Sequence, residues 1–341
     1  MKRLLLTGIG GSIGCHTMRH ILQNTDWEII GIDSFRHKGL TDRVEFMLNE
    51  YPEGRARVRI VTHDLAAPIS NLLAAKIGHV DYIINMASLS DVPESLLSPT
   101  LFINTNIALT LTMLEYARIA KPEIFLQIST DEVYGPTEIE ARREWSPIVP
   151  SSPYSASKAS QEAIAISYWR SFGLPLIIVN FMNNFGEMQS LSKFPAIVQR
   201  KVRLGETLTI HGTPEHVGSR FYIHSRNAAD AFLFLLLRGA PFKHTAGAVD
   251  RPDRYNIAGD KKVSNMELAE TIAYLAGYPF HYRFENFGVG RAGHDSHYSL
   301  DGRKLAALGW KAPISFDDAL KSTTEWYNNH PEWLDIPVKG P

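Results

Sequence analysis

The sequence predicts an α/β protein, a doubly wound parallel sheet with helices on both faces and a smaller C-terminal α/β unit. Three observations predict it. Short apolar runs alternate with helical stretches over the first half of the chain: Leu4–Leu6, Glu28–Ile32, Val58–Val61, Val80–Ile84, Ile124–Ile128 and Leu176–Val179. Such runs read as strands buried on both faces, and their alternation with helices implies crossover connections and a parallel sheet. A glycine pattern, Gly8-x-x-Gly11-x-x-Gly14, stands between the first strand and the first helix. Polar residues follow at once where several of the apolar runs stop, as at Asp33, His63-Asp64 and Ser129. In open α/β sheets ligands sit in the crevice beyond the carboxyl ends of the strands.

Taken in order, Leu4–Leu6 is a strand and a helix runs from the glycine loop to about Gln23. The first glycine permits the tight turn, the second lets backbone approach a pyrophosphate, and the third lets helix pack on strand. The helix start offers free N–H groups to phosphates. Asp33 ends the second strand nineteen residues after Gly14, near the spacing of an acid that holds ribose hydroxyls and repels a 2′-phosphate. NAD is therefore expected, with Arg36, His37 and Lys38 leaving NADP as the alternative. Asp64 suits an adenine contact or a cap on the following segment. Helices are predicted near Pro99–Ala120 and Pro153–Phe172. Past Asn180 the pattern loosens: a loop to Lys193, a helix at Pro195–Leu204 and a strand at Thr207–His211. Phe221–Ile223 and a helix at Arg226–Arg238 are expected to rejoin the first unit, and a helix is expected near Ser264–Ala276. The expected domains are residues 1–180 with about 221–258 returning, and a second from about 181–220 and 259–335.

Composition narrows the function. The chain has 341 residues, 35 Lys and Arg against 36 Asp and Glu, and a net charge of −1. That balance gives no footprint for nucleic acid or an anionic membrane. Cys15 is the single cysteine, so no internal disulfide forms; it reads as a small buried residue in a reducing compartment. The N-terminal apolar run stops at Thr7-Gly8, too short for a signal peptide, and Ala231–Leu237 is far below spanning length. A cytoplasmic protein is expected.

The chemistry concentrates at Ser129-Thr130-Asp131-Glu132-Val133-Tyr134-Gly135, directly after the fifth strand, and at Tyr154-x-x-x-Lys158. On a helix, positions i and i+4 share a face, so the Lys158 ammonium is expected to lie beside the Tyr154 phenol and lower its pKa. A softened phenol can take a proton from an alcohol. An acid pair after a strand also suits a helix cap or a solvated turn. Its joint occurrence with a dinucleotide loop and the Tyr–Lys pair is what points to catalysis.

With these residues in view, the chain resembles the nucleotide-sugar 4,6-dehydratases of the extended short-chain dehydrogenase/reductase family, which have a Rossmann-type fold. The resemblance runs over nearly the whole chain. It is carried by Thr7 to Gly14, Asp33, Asn85-x-Ala87, Asn104-Thr105-Asn106, Ser129 to Gly135, Tyr154 and Lys158. It continues in Asn183-Asn184-Phe185-Gly186, Arg220, Tyr255-Asn256-Ile257 and Gly293-His294-Asp295. It implies that Tyr154, aided by Lys158, takes the sugar 4-hydroxyl proton while NAD takes the hydride. Glu132 would then remove the C5 proton, Asp131 protonate the leaving 6-hydroxyl, and Thr130 bond the O4 region. It implies NAD contacts from Gly8, Gly11, Ser12, Ile13, Gly14, Asp33, Ser34, Asp64, Leu65, Ala87, Ser88, Asn106, Ser129, Tyr154, Lys158 and Asn180. The nucleotide-diphosphate sugar would meet Ser90, Asn183, Lys193, Arg220, Asn256, Arg291 and His294. The family uses no metal, and no oxygen or sulfur cluster accompanies His294-Asp295-Ser296-His297. It also implies a homodimer through helices 99–120 and 153–172. Departures fall at Leu89 to Ser95, at Glu187 where Pro is usual, and at Arg220-Phe221-Tyr222 where Arg-Asp-Trp is usual. A 4-epimerase or UDP-glucuronate decarboxylase on the same scaffold is the alternative enzyme. A non-catalytic dinucleotide-binding regulator is the alternative of another class, with no use for the acid–base set.

Overall fold

The computed structural model describes residues 1–37, 39–137, 140–239, 244–246, 249–286 and 297–335. The first half alternates nearly strictly: β1 (Arg3–Thr7), α1 (Ser12–Asn24), β2 (Glu28–Asp33), α2 (Leu40–Asn49), β3 (Val58–Thr62), α3 (Asn71–Ile77), β4 (Tyr82–Asn85), α4 (Val92–Leu97), α5 (Pro99–Ala120), β5 (Ile124–Thr130), α6 (Pro153–Phe172) and β6 (Leu176–Phe181). Then come β7 (Asn183–Phe185), α7 (Phe194–Leu204), β8 (Leu208–Thr213), β9 (His216–Val217), β10 (Ser219–His224), α8 (Ser225–Leu237), β11 (His244–Ala246), β12 (Val249–Arg251) and β13 (Asp253–Ile257). β14 (Lys262–Ser264), α9 (Asn265–Ala276), β15 (Tyr282–Glu285), α10 (Arg303–Ala307) and α11 (Phe316–Asn329) complete the described chain.

Seven of these strands form one sheet in the order β13-β6-β5-β4-β1-β2-β3, all parallel. The apolar runs that predict the strands are its middle layer: Leu4, Leu5, Leu6, Phe125, Leu126 and Ile178 have no exposed surface. Each such side chain contributes roughly 1.5–3 kcal/mol on burial. The order reverses at β1, whose neighbours are β2 and β4, and that switch point opens the crevice in which ligands bind. A polar ladder levels the strand ends there. Thr7 donates to Asn85 Oδ1 (3.1 Å) and Asn85 Nδ2 to Gln127 Oε1 (2.9 Å), all three side chains buried.

α5 and α6 pack side by side and their ends are set by sequence. Pro99 and Pro153 open them at a position where a missing N–H costs nothing. Ser152 caps α6 in a reciprocal pair with Ser155, and Gly173 closes it at φ +68°.

The second half departs from expectation in one strand. Residues 219–224 do not rejoin the large sheet; β10 lies between β14 and β7 in a separate three-stranded sheet. α8, packed on α1, and β13, paired with β6, return to the large sheet, and α10 packs on β13. Among the described residues no helix is long and apolar enough to cross a membrane, and no group of three or more His, Cys, Asp or Glu is placed to hold a metal.

Candidate active site

The loop after β1 and the loop after β4 meet at the switch point. Gly8 has φ +72°, and a Cβ there would stand 3.1 Å from Ala87 Cα. A Cβ on Gly14 would stand 2.1 Å from the Gly8 carbonyl oxygen, so only glycine lets α1 start this close to the strand. Thr7 Oγ1 accepts from the N–H groups of Met86 and Ala87 (2.9 and 3.0 Å), fixing the second loop to the first. Asp33 braces the glycine loop: its carboxylate accepts from Gly10 N–H and Phe35 N–H, both at 3.0 Å. α1 begins at Gly11 with no side-chain cap, leaving its first N–H groups to an anion. Among the described residues, Ser12 Oγ and Ser129 Oγ are buried with no hydrogen-bond partner. Glycine cradle, uncapped helix start, acid at the tip of β2 and unpaired hydroxyls together fit a dinucleotide.

The acid pair opens directly off β5. Thr130 caps the short turn at Asp131–Tyr134, and its hydroxyl donates to Asp131 Oδ1 (3.0 Å). Tyr154 sits in the first turn of α6, where its N–H donates to Ser95 Oγ (3.2 Å). Its phenol lies within hydrogen-bond reach of Thr130 and feels the charges of both Glu132 and Asp131. Phenol, hydroxyl and two carboxyls therefore lie in one neighbourhood. Lys193 reaches the same place from the loop before α7: Asp91 and Glu132 both act on its ammonium, which bonds the Ser90 carbonyl. Arg220, on β10, acts on Asp131 as well and lies 5.6 Å from the Tyr298 ring centroid.

Burial splits the two acids. The Asp131 side chain is buried, one oxygen takes the Thr130 hydroxyl, and Oδ2 has no partner among the described residues. Loss of solvent pushes its pKa up to about 6, against the pull of Thr130 and Arg220. The leading cause is thus desolvation rather than the neighbouring carboxylate. Glu132 is only half-buried.

The Tyr–Lys pair corrects one expectation. The Tyr154 phenol is pushed up, not down, first by burial and then by Glu132 and Asp131. Lys158 shares its helix face, but the ammonium is held by Ile128 O (2.8 Å) and Gln161 Oε1 (2.6 Å). Burial lowers the Lys158 pKa to about 8.

Other residues expected at the cofactor or substrate have partners within the protein. Asn106 is buried and holds Leu89 at both peptide groups, accepting from its N–H (2.8 Å) and donating to its carbonyl (3.1 Å). Asn180 donates to Thr130 O (3.0 Å) and Glu162 Oε1 (2.7 Å), and Asn256 donates to Arg142 O (2.9 Å). Both are fully buried, so their side chains tie strands together instead of lining the crevice. Asp64 caps its own turn through Ala66 N–H (3.0 Å) and pairs with Arg36 (3.2 Å). Leu65 is buried in the core beneath, while Ser34 accepts from Arg36 (3.3 Å) and Ser88 bonds Leu89 O (3.1 Å). Ile13 packs against the core and Asn183 pairs with Tyr222 in the small sheet. Lys38, Arg291 and His294 lie outside the described residues. Sequence reasoning missed the fully buried pair Arg254–Glu162 (2.6 Å), which locks β13 onto α6. It also missed Gln161, which holds Lys158 and donates to Asn106 O (2.8 Å). The Arg254–Glu162 pair carries no local signal, since its members stand 92 positions apart, whereas Gln161, three positions after Lys158 on one helix, could have been found from that spacing.

The model of the NAD dependent epimerase/dehydratase family matches residues 4–258. The chain belongs to that family. Relatives of the epimerase/dehydratase family match it end to end. The low-salt glycan biosynthesis protein Agl12 of Haloferax volcanii is 34% identical over 95% of this chain and 98% of its own length. The dTDP-glucose 4,6-dehydratase 1 of Escherichia coli K12 is 30% identical over 99% and 96%. Among solved structures, DesIV of Streptomyces venezuelae, a dTDP-glucose 4,6-dehydratase with NAD bound, superposes with TM-score 0.84 at 31% identity, covering 97% of this chain and 98% of that one. As a member of an NAD-dependent enzyme family, this epimerase/dehydratase chain is an enzyme with a Rossmann-type fold.

Proposed function

We propose that the chain is a nucleotide-sugar 4,6-dehydratase that uses NAD and converts an NDP-hexose to the NDP-4-keto-6-deoxyhexose. The observation that carries this reading is the nearness of Asp131 and Glu132 to the Tyr154 phenol, with one carboxyl fully buried and the other half-buried. An elimination needs an acid and a base side by side with separated proton affinities. Tyr154 takes the proton of the sugar 4-hydroxyl as a phenolate, while Thr130 orients the oxygen. Because burial and the acid pair hold its phenol up, the positive charges of Lys158 on the same helix face and of a bound nicotinamide would have to favour that form. Held by the glycine loop, Asp33 and the uncapped start of α1, NAD would supply the hydride chemistry at C4 and C6. Glu132 removes the C5 proton made acidic by the 4-ketone, and Asp131 protonates the departing 6-hydroxyl. Asn183, Lys193 and Arg220, on segments 181–220, hold the nucleotide end; guanidinium and ammonium groups match a diphosphate. Relatives named dTDP-glucose 4,6-dehydratases support the same substrate class.

Mass spectrometry after incubation with dTDP-, UDP- and CDP-glucose and UDP-glucuronate tests the assignment. Loss of water from one of the hexoses is expected. Loss of carbon dioxide would make the enzyme a decarboxylase, unchanged mass with new stereochemistry an epimerase, and no reaction a regulator.

The acid also predicts a pH limb. Asp131 must carry its proton to act, and its folded pKa is raised to about 6 from the ordinary 3.8. Turnover is therefore expected to fall as pH rises through about 6. Asp131→Asn is expected to remove that limb and cut kcat by about 10²–10⁴-fold; a limb that survives the substitution belongs to another group. The same shift makes charging Asp131 cost stability between its ordinary and raised values as pH rises.

The enzyme is proposed to work as a homodimer in the cytoplasm. α5 and α6 leave Leu101 (53% exposed), Ile119 (74%) and Phe172 (53%) to solvent, apolar side chains that a second copy would cover. Light scattering at micromolar concentration is expected to give twice the chain mass; a monomer mass would end this reading.

A further inference from the structure

Behind the first turn of α1 lies a buried group of charges that the proposed reaction does not use. His16 Nδ1 stands 2.7 Å from the Ser12 carbonyl oxygen and Nε2 stands 3.0 Å from Glu187 Oε2. Glu187, one of the departures from the dehydratase pattern, is turned inward and 2% exposed. Its Oε1 takes the Arg226 guanidinium, and its Oε2 also receives His224 Nε2 at 3.2 Å. His224 Nδ1 accepts from the Arg226 N–H (3.1 Å), so Nε2 carries the hydrogen and that ring is neutral. Burial alone would raise the Glu187 pKa, but the bonds from His16 and His224 outweigh it and hold it well below the carboxylate range. A carbonyl and a carboxylate are acceptors only. Both nitrogens of His16 therefore carry hydrogen, and the ring is an imidazolium.

A cation near the start of a helix stands at the wrong end of its dipole. The molecule offsets this with Glu187 from behind, while the front of the same turn is the uncapped helix start with the unpaired Ser12 hydroxyl. An anion bound there meets the helix end and a fixed positive charge together. Glu187 is itself held in place. The Met188 carbonyl accepts from Arg43 Nε (2.7 Å), whose Nη1 also reaches Gly10 O (3.4 Å), and Gln189 N–H donates to Tyr327 (3.0 Å).

We propose that His16 and Glu187 are positioning residues for the dinucleotide: the buried carboxylate keeps the His16 ring charged, and that ring sets the first turn of α1 for the pyrophosphate. The proposal rests on dinucleotide binding and not on the dehydration reading.

Fluorescence titration with NADH, over a neutral to mildly alkaline pH series, tests it. Wild type is expected to bind with an affinity nearly flat in pH. Glu187→Gln is expected to weaken NADH about tenfold, the scale of one charge at a helix end. The loss should grow as pH rises, because His16 without its counter-charge gives up its proton. The other groups around the ring, Cys15, His224, Arg226, Arg43 and Tyr327, remain in place in that variant. His16→Gln should lose as much, and the double variant no more than either. Affinity for dTDP, the probe of the substrate side, should not move in any of them. Wild-type affinity in Glu187→Gln at every pH, additive losses in the double variant, or an equal loss of dTDP binding would each overturn the proposal. A measurement on wild type guards against variants that fail to fold. The His16 ring resonances are expected to report a protonated ring through neutral pH, and titration in the ordinary histidine range would overturn the assignment without any substitution. Wild type that binds no NADH would remove the cofactor reading itself, and the proposal with it.

Discussion

Glu132→Gln is expected to abolish water loss, lowering turnover by about 10²–10⁴-fold, the range of a lost general base. Cofactor binding should be untouched, because the glycine loop, Asp33 and the start of α1 lie on other strands. The substitution keeps the shape of the side chain and removes only its basicity. In the proposed reaction, oxidation at the sugar C4 falls to Tyr154 and Thr130 and should still proceed, so the variant mixed with substrate should accumulate bound reduced nicotinamide, seen by its near-ultraviolet absorbance. Normal product formation would take Glu132 out of the role. No reduction at all, with NAD bound, would place the lesion at the first step and count against the division of labour between phenol and carboxylate.

The largest stability effect should come from a pair far from the chemistry in sequence. Glu162 and Arg254 have no exposed surface and face each other at 2.6 Å. Arg254 also donates to the Glu144 carbonyl (2.9 Å), and its guanidinium lies 4.3 Å from the Trp145 ring centroid. Removing one partner leaves a buried charge alone, which costs about 3–5 kcal/mol. Glu162→Ala should therefore lower the urea midpoint sharply, and Arg254→Met should do the same. Because a buried pair can be matched by well-packed apolar groups, Glu162→Leu combined with Arg254→Met should recover much of the loss. Equal loss in the double variant would show that the pair also carries the fold through its other bonds. Since α6 bears both Tyr154 and Lys158, turnover in the single variants should fall further than the unfolded fraction explains.

What the sequence made legible follows from the range of the forces involved. Helix ends at 99–120 and 153–172 are written locally in proline, serine and glycine, and they stand where the pattern puts them. The middle strands are visible because a strand buried on both faces must be apolar throughout. Asp33 and the glycine loop declare themselves by spacing within one βαβ unit. Asn106, Asn180 and Asn256 show the opposite case. A buried amide near a crevice has the same sequence signature whether it faces a ligand or braces a neighbouring strand, and all three brace. The strand at Phe221–Ile223, expected to rejoin the first unit, lies in a separate small sheet because its partners, β7 and β14, are chosen by packing and not by its own residues. Glu187 stood out as a departure, yet only the fold shows that it turns toward His16, 171 positions away.

The grip of Asn106 on Leu89 runs only through peptide atoms, one N–H and one carbonyl. The path of the chain at Leu89 is thus indifferent to the side chain borne there. Position 89 can drift without loosening the loop, whereas Asp91 cannot, because its carboxylate caps α4 through the Glu94 N–H (3.0 Å). Variation is cheap only where the fastening was made to the main chain.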